Sequence, residues 1–261
     1  MVDYSLTDSV AEIVLNDPGK LNAVDEAALA ELSAAFTRAA EEGARAVILR
    51  GEGRAFCAGR DITHVDPATD DAFGYLDGAV TPLLRQISEF PAPTFAVATG
   101  ACLGVGLGLL VASDVVYVAD TARIGSPFAN LGATLDSGGH ALFVERLGAH
   151  RTLDLIYTAE LMTGAEAVAL GLFSRAIPEA EVLDFTRERA ARVAAGATGA
   201  FLASKRLVQR IRDERIGLWE SIADENRAQA ELCASADYAE GFAAFQQKRQ
   251  PVFGAGRSPG S

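Results

Sequence analysis

The order of apolar and polar residues predicts short strands alternating with helices over the first two thirds of the chain. Val10–Leu15 is mostly apolar and predicts a strand, and Asp17–Lys20 predicts a turn because it contains Pro and Gly. Asp25 can cap a helix that runs to about Glu42. One face of this helix carries Leu29, Leu32, Phe36 and Ala39. Three apolar runs predict buried strands and one amphipathic run predicts a helix: strands Ala46–Leu49, Thr94–Val97 and Val115–Val118, and helix Asp70–Glu89.

Helical patterns dominate from Ser137 onward, interrupted by one predicted strand, Phe173–Ile177. The predicted helices are about Gly138–Leu147, Arg151–Thr158, Ala165–Leu170, Glu179–Ala194, Ala200–Arg212, Leu218–Leu232 and Tyr238–Lys248. Gly254–Ser261 has almost no apolar residues and predicts a frayed tail. This order of elements predicts an α/β fold, divided into a core at residues 1–195 and a helical C-terminal region at residues 196–261.

The charge balance restricts the expected partners. The chain has 23 Lys and Arg against 35 Asp and Glu, a net charge of −12, which repels nucleic acid and anionic membranes. Its most apolar stretch, Ala92–Val118, is interrupted by Pro93, four glycines and Asp114, so it does not predict a membrane span. The three cysteines are odd in number and widely spaced, which indicates reduced thiols and a cytoplasmic location.

Two glycine-rich segments are candidates for binding an oxygen atom through backbone N–H groups. Gly51–Ile62 follows a predicted buried strand, and its glycines allow a ligand to approach the main chain. Asp61 could accept backbone N–H bonds and make this loop rigid. Gly100–Ser113 opens an apolar helix, whose N-terminus offers free N–H groups and the positive end of the helix dipole. From the residues alone, a turn without a ligand at the first segment and a tightly packed buried helix at the second remain open as other interpretations.

These two segments resemble the signatures of the crotonase superfamily, the enoyl-CoA hydratases and isomerases. Ala55-Phe56-Cys57-Ala58-Gly59-Arg60-Asp61-Ile62 is similar to the family's first motif, and Gly100–Gly108 is similar to its second. The C-terminal Ser235–Gly241 and Lys248–Pro251 resemble the family's closing helix and its Lys-Arg-x-Pro ending. The resemblance extends from Val10 to about Phe253. It implies a crotonase-like spiral of ββα units, a helical C-terminal oligomerisation region, and homotrimers or dimers of trimers.

The resemblance also implies how a CoA thioester is held. The backbone N–H groups of Arg60 and Val105 would form an oxyanion hole for the thioester oxygen. Coenzyme A would enter as part of the substrate, with no permanently bound cofactor and no metal. The residues expected to contact CoA or the acyl group are Ala58, Gly59, Asp61, Ile62, Gly104 and Phe128, together with Phe245 and Lys248, which in the family typically reach the CoA of a neighbouring subunit.

The chain departs from the family at its catalytic carboxylates. Hydratases of the family use two glutamates, and the matching positions here are Gly108 and Phe128. Asp136, in Leu131-Gly132-Ala133-Thr134-Leu135-Asp136-Ser137-Gly138-Gly139, replaces an ordinarily neutral residue. Dienoyl-CoA isomerases, 1,2-epoxyphenylacetyl-CoA isomerases and 4-chlorobenzoyl-CoA dehalogenases place an aspartate there, and the second type is the closest local match. The other interpretation of Asp136 is the N-cap of the helix that follows.

This pattern predicts an acyl-CoA isomerase in which Asp136 takes a proton from one carbon and returns it to another. Apolar neighbours should raise the pKa of Asp136, and Tyr75 and His140 are possible helpers. Three alternatives stay open: a hydratase-like enzyme, a crotonase homologue that binds acyl-CoA without catalysis, and an aryl-CoA dehalogenase. The dehalogenase requires a histidine before the glycine-rich helix, and no histidine stands between Asp77 and Thr99.

Overall fold

The computed structural model describes residues 1–254, and the predicted tail lies almost entirely outside them. Within these residues the strands are β1 (Val2–Thr7), β2 (Val10–Leu15), β3 (Ala46–Gly51), β4 (Thr94–Ala98), β5 (Ala101–Leu103), β6 (Val115–Ala119), β7 (Arg123–Gly125), β8 (Met162–Thr163) and β9 (Arg175–Ile177). The α-helices are α1 (Glu26–Glu41), α2 (Ala72–Tyr75), α3 (Thr81–Ser88), α4 (Val105–Ala112), α5 (Gly139–Thr158), α6 (Gly164–Ala169), α7 (Val182–Ala194), α8 (Thr198–Glu214), α9 (Leu218–Leu232) and α10 (Ala236–Gln247).

Two sheets share the strands. The larger has the order β1-β2-β3-β4-β6-β9, and it is parallel except for the antiparallel β1–β2 pair. The smaller has the order β5-β7-β8. Strand β5 follows β4 after two residues, and β7 follows β6 after three, so the chain passes from one sheet to the other twice in the same way. This repeated passage of the chain from the larger sheet to the smaller one confirms the predicted α/β class and the spiral of ββα units.

Helix α1 shows how closely local sequence determined one element. Asp25 is its N-cap, and the carboxylate accepts a hydrogen bond from the Ala28 N–H at 2.8 Å, as Asp commonly does at this position. The four apolar residues predicted to share a face are all buried. The predicted helix and its cap are therefore confirmed.

Other elements differ from the predictions in instructive ways. The edge strand β1 was not predicted; its residues alternate between half-buried and exposed, so its apolar signal is weak. The predicted helix Asp70–Glu89 consists of α2, a π-helical turn at Leu76–Val80 and α3. The strand predicted at Phe173–Ile177 is shorter, since β9 begins at Arg175. Gly148 has non-helical backbone angles, so α5 is kinked at the point where two helices were predicted.

The C-terminal helices α8–α10 leave large apolar side chains in solvent. Leu218 is 68% exposed and Trp219 is 79% exposed. These faces are of the kind that oligomer contacts cover, and the homotrimer or dimer of trimers stays a prediction, as does the division near residue 195. None of the helices within residues 1–254 combines the length and apolarity needed to cross a membrane.

Candidate active site

The loop after β3 and the segment before α4 lie side by side. Cys57 N–H donates to the Ala101 carbonyl, and Leu103 N–H donates to the Cys57 carbonyl, each at 3.0 Å. A Cβ atom added at Gly59 would lie 3.0 Å from the Leu103 oxygen and 3.8 Å from the Gly104 Cα. Gly59 also has φ +101°, which favours glycine. The structure thus brings together the two segments that the sequence singled out, 43 residues apart at Arg60 and Leu103.

The Arg60 N–H is the predicted donor from the first segment. The residues on either side of Arg60 both form hydrogen bonds with Val24. The Val24 N–H donates to the Gly59 carbonyl at 2.8 Å, and the Asp61 N–H donates to the Val24 carbonyl at 2.9 Å. Among residues 1–254, the Arg60 N–H itself donates to no protein group. The Arg60 guanidinium points elsewhere: it makes a bidentate ion pair with Asp70, at 2.7 and 2.8 Å, and lies over the Tyr75 ring.

The Val105 N–H is the predicted donor from the second segment. Gly104, with φ +52°, precedes α4 as its N-cap, and Val105 is the first helical residue. The first intrahelical bond is that from the Gly108 N–H to the Gly104 carbonyl at 3.1 Å. Within the described chain, the Val105 N–H has no acceptor. Val105 as a whole is 1% exposed and packs in the core, and its N–H lies at the positive end of the helix dipole.

The two positions that lack glutamate are both closely packed. A Cβ atom at Gly108 would lie 2.4 Å from the Cβ of Ser137 and 3.0 Å from its carbonyl oxygen. A Cβ at Gly104 would lie 2.7 Å from the ring of Phe128. Phe128 therefore places an aromatic ring against the start of α4, and Ser137 occupies the space that a side chain at position 108 would need.

Asp136 directly precedes Ser137, the residue that packs against Gly108. It is half-buried, and the Ser137 hydroxyl donates to its Oδ1 at 2.8 Å. Burial raises the pKa of the Asp136 carboxyl, and the Ser137 hydrogen bond and nearby His140 oppose that rise. The raised pKa agrees with the apolar surroundings predicted for it.

The helix-cap interpretation of Asp136 is wrong. Helix α5 begins at Gly139, and its N-cap is Gly138, which makes no side-chain capping bond. The Asp136 carboxylate accepts a bond from the neighbouring Ser137 hydroxyl and, among residues 1–254, none from a helix N–H. The left-handed backbone at Ser137 and Gly138, with φ +53° and +86°, separates the carboxylate from the helix.

Of the remaining expected contacts of the first segment, Asp61 lines a cavity of about 300 Å³, whereas Ala58, Gly59 and Ile62 are not among its walls. Its walls are Asp25, Glu26, Ala27, Arg60, Asp61, His64, Val65 and Tyr75. Asp61 accepts from the Thr63 N–H at 2.9 Å, as a rigidifying residue should, and also from Lys20 Nζ at 2.7 Å. These hydrogen bonds, with Lys20 first, lower the pKa of Asp61. Ile62, the residue after Asp61, is 52% exposed. The Ala58 N–H donates a hydrogen bond to the Leu21 carbonyl.

The possible helpers differ in their positions. The Tyr75 hydroxyl is buried and donates to the Val24 carbonyl at 3.1 Å; burial raises its pKa, and Asp136 is one of the charges that add to this rise. Exposed His140 lies on the first turn of α5. Among residues 1–254, no group of three or more His, Cys, Asp or Glu side chains is arranged to hold a metal ion.

Phe245 and Lys248 lie away from the other site residues of the same chain. Phe245 lines a cavity of about 730 Å³ between α8, α9 and α10, which shares no residue with the cavity around Arg60. Phe245 is 85% exposed, and Lys248 follows the end of α10. Within one chain these two residues do not join the oxyanion segments, and their contact with CoA stays a prediction.

Comparison with known proteins identifies the family. A family model described as enoyl-CoA hydratase/isomerase matches residues 5–256. The chain belongs to the enoyl-CoA hydratase/isomerase family. It is 35% identical to a protein of Rhodobacter capsulatus named probable enoyl-CoA hydratase, over 97% of each chain. It is 28% identical to the 2,3-dehydroadipyl-CoA hydratase of Escherichia coli, over 92% of this chain and 93% of the other.

A solved structure agrees with this assignment. The enoyl-CoA hydratase of Mycobacterium smegmatis matches with a TM-score of 0.87 at 27% identity, over 97% of this chain and 98% of the other. The predicted family and crotonase fold are therefore confirmed, and an acyl-CoA activity of the hydratase/isomerase type follows from them. The relatives' names favour hydratases. The distinction between hydratase and isomerase must come from this chain's own residues.

Three contacts of the site were not predicted from the sequence: Lys20 with Asp61, Arg60 with Asp70, and Ser137 with Gly108. The first two join residues 41 and 10 positions apart on exposed loops, where no periodic pattern indicates a pairing. The third depends on the left-handed backbone at Ser137, which favours glycine and is not indicated by a serine. Only the two glycines that follow Ser137 hinted at an unusual backbone there.

Proposed function

We propose that this member of the family is an acyl-CoA isomerase, in which Asp136 moves a proton between two carbons of a CoA thioester. The proposal rests on one observation: of the three positions around α4 where the family can carry a carboxylate, only 136 has one here. Position 108 has no side chain and no room for one, position 128 is an aromatic ring, and Asp136 is half-buried with a raised pKa. One carboxylate is enough for a proton shuttle, whereas the family's hydration uses two.

The chemistry follows from the acidity of a thioester. With a β,γ-unsaturated acyl group, the Asp136 carboxylate removes an α-proton, and the electron pair spreads through the double bond onto the thioester oxygen. The Arg60 and Val105 N–H groups would stabilise that oxygen, and one such donor contributes about 3–4 kcal/mol elsewhere. The protonated Asp136 then returns the proton to the γ-carbon, the double bond moves, and the carboxylate is regenerated. No other reagent is required.

The Phe128 ring supports isomerisation over hydration. It packs against Gly104 at the start of α4, where it provides apolar surface rather than a group that can activate water. Ala58, Gly59, Asp61 and Ile62 would contact the CoA moiety, and Phe245 and Lys248 would contact the CoA of a neighbouring subunit in a homotrimer or a dimer of trimers. The cytoplasmic location belongs to the same proposal.

A comparison of two reactions, hydration and isomerisation, tests this proposal. Purified protein is incubated with crotonyl-CoA, to measure hydration, and with a panel of β,γ-unsaturated, dienoyl and epoxyphenylacetyl CoA thioesters in D₂O, to measure isomerisation and deuterium uptake. We expect negligible hydration and isomerisation of at least one panel member. Hydration at the rate of a two-glutamate hydratase would overturn the proposal and favour the hydratase activity that the relatives' names indicate. Tight binding of the panel without turnover would favour the non-catalytic alternative.

A further inference from the structure

Ser137 adopts a backbone conformation that its residue type disfavours. It has φ +53°, in the left-handed region, and it is one of eight non-glycine residues there within residues 1–254. A left-handed serine costs conformational free energy that glycine would avoid. Such strain is often retained at functional sites because the side chain has a use, so the contacts of this side chain are informative.

The Ser137 side chain lies between the proposed base and α4. Its hydroxyl donates to Asp136 Oδ1 at 2.8 Å. Its Cβ lies 2.4 Å, and its Oγ 3.3 Å, from the point where a Cβ at Gly108 would stand. The same side chain therefore donates to the carboxylate at 136 and occupies the space that a Cβ atom at position 108 would need.

We infer that Ser137 is a positioning residue for Asp136, and that its hydroxyl orients the carboxylate from the place beside α4 where its side chain packs. This inference rests on the proposed function, since it assigns Ser137 a role toward the base named there. It explains how a family site can lack its first glutamate and still carry an acid–base group.

The charged groups around Asp136 make the role of Ser137 measurable. His140 interacts with Asp136 from the first turn of α5, and Tyr75 interacts with it from α2. Helix α4 and the 3₁₀ turn Pro127–Leu131 carry no titratable side chain. Burial raises the pKa of Asp136, and the Ser137 hydrogen bond lowers it. Loss of the hydroxyl should therefore raise this pKa further and leave less of the base ionised at a given pH.

The test compares Ser137→Ala and Ser137→Gly with matched variants of Ser9, a serine at φ +65° in the exposed β1–β2 turn. The pH dependence of kcat/KM is measured for each protein. We expect the acidic limb to move upward by about one pH unit in both Ser137 variants and to stay in place in Ser9→Ala and Ser9→Gly. A merely structural serine would change the melting temperature but would not move this limb.

A readout independent of turnover completes the test. The Asp136 carboxyl carbon is identified by NMR in ¹³C-aspartate-labelled protein, from its absence in Asp136→Asn, and is titrated with and without the Ser137 hydroxyl. An upward shift supports the inference, and an unchanged titration overturns it. If Asp136→Asn keeps full turnover, the proposed function fails. If that variant is inactive while the Ser137 variants titrate like the parent, only the role of Ser137 fails.

Discussion

The oxyanion segments and the carboxylate positions of this site make different demands on the sequence. At Arg60 and Val105 the proposed functional groups are backbone N–H groups, which every residue except proline carries. Those positions depend on the backbone around them, at Gly59 and Gly104. At positions 108, 128 and 136 the identity of each side chain decides the chemistry. Under the proposed function, this contrast would explain how a family site can still bind the thioester oxygen while its reaction changes.

The largest expected effect comes from removing a proposed oxyanion donor while the fold is kept. Val105 is the first residue of α4, where proline is well tolerated because its missing N–H has no helical partner. Val105→Pro should lower kcat by about 10²–10³-fold. Val105→Ala also loses most of the buried side chain but keeps the N–H, and should lose less than about tenfold. Equal losses in the two variants would show that the side chain matters and the N–H does not.

Gly108→Glu tests the other half of the comparison. The new side chain would collide with Ser137, so we expect destabilisation of about 1–3 kcal/mol and a fall in melting temperature of roughly 3–10 °C. Crotonyl-CoA hydration should stay negligible, because position 128 still has no carboxylate. Gly78→Glu is the control, since a Cβ there meets nothing within 4 Å. A stable Gly108→Glu protein that hydrates crotonyl-CoA would contradict the packing argument.

The smallest expected effect concerns stability. The pKa of Asp136 is raised above its ordinary 3.8, so the fold favours the protonated form, and stability falls as pH rises from about 4 through the raised value. At neutral pH the ionised carboxylate therefore destabilises the fold. Asp136→Asn should melt about 1–3 °C higher than the parent at pH 7, with the gain disappearing near pH 3 in thermal scans. A lower melting temperature at pH 7 would mean that the carboxylate stabilises the fold.

The sequence predicted what depends on local pattern and motif. Helix α1 and its Asp25 cap followed from the sequence pattern, and the glycines and the family resemblance singled out the two segments that lie side by side, whose oxyanion role stays a prediction. Strand β1 was missed because an edge strand with one exposed face has a weak apolar signal. The cap interpretation of Asp136 could not be excluded from the sequence, since it depends on the left-handed backbone at Ser137. The ion pairs Lys20–Asp61 and Arg60–Asp70 lie on exposed loops, where no periodic pattern indicates a pairing.

Turnover by Asp136→Asn tests the central claim most directly. Asparagine keeps the shape of the side chain and can still accept the Ser137 hydrogen bond, but it cannot take the substrate proton. With an acyl-CoA that the parent isomerises, we expect isomerisation and deuterium uptake at the α-carbon to fall by at least about 10²-fold, while the dissociation constant of a saturated acyl-CoA changes only a few-fold. Unchanged isomerisation in this variant would contradict the assignment of Asp136 as the base.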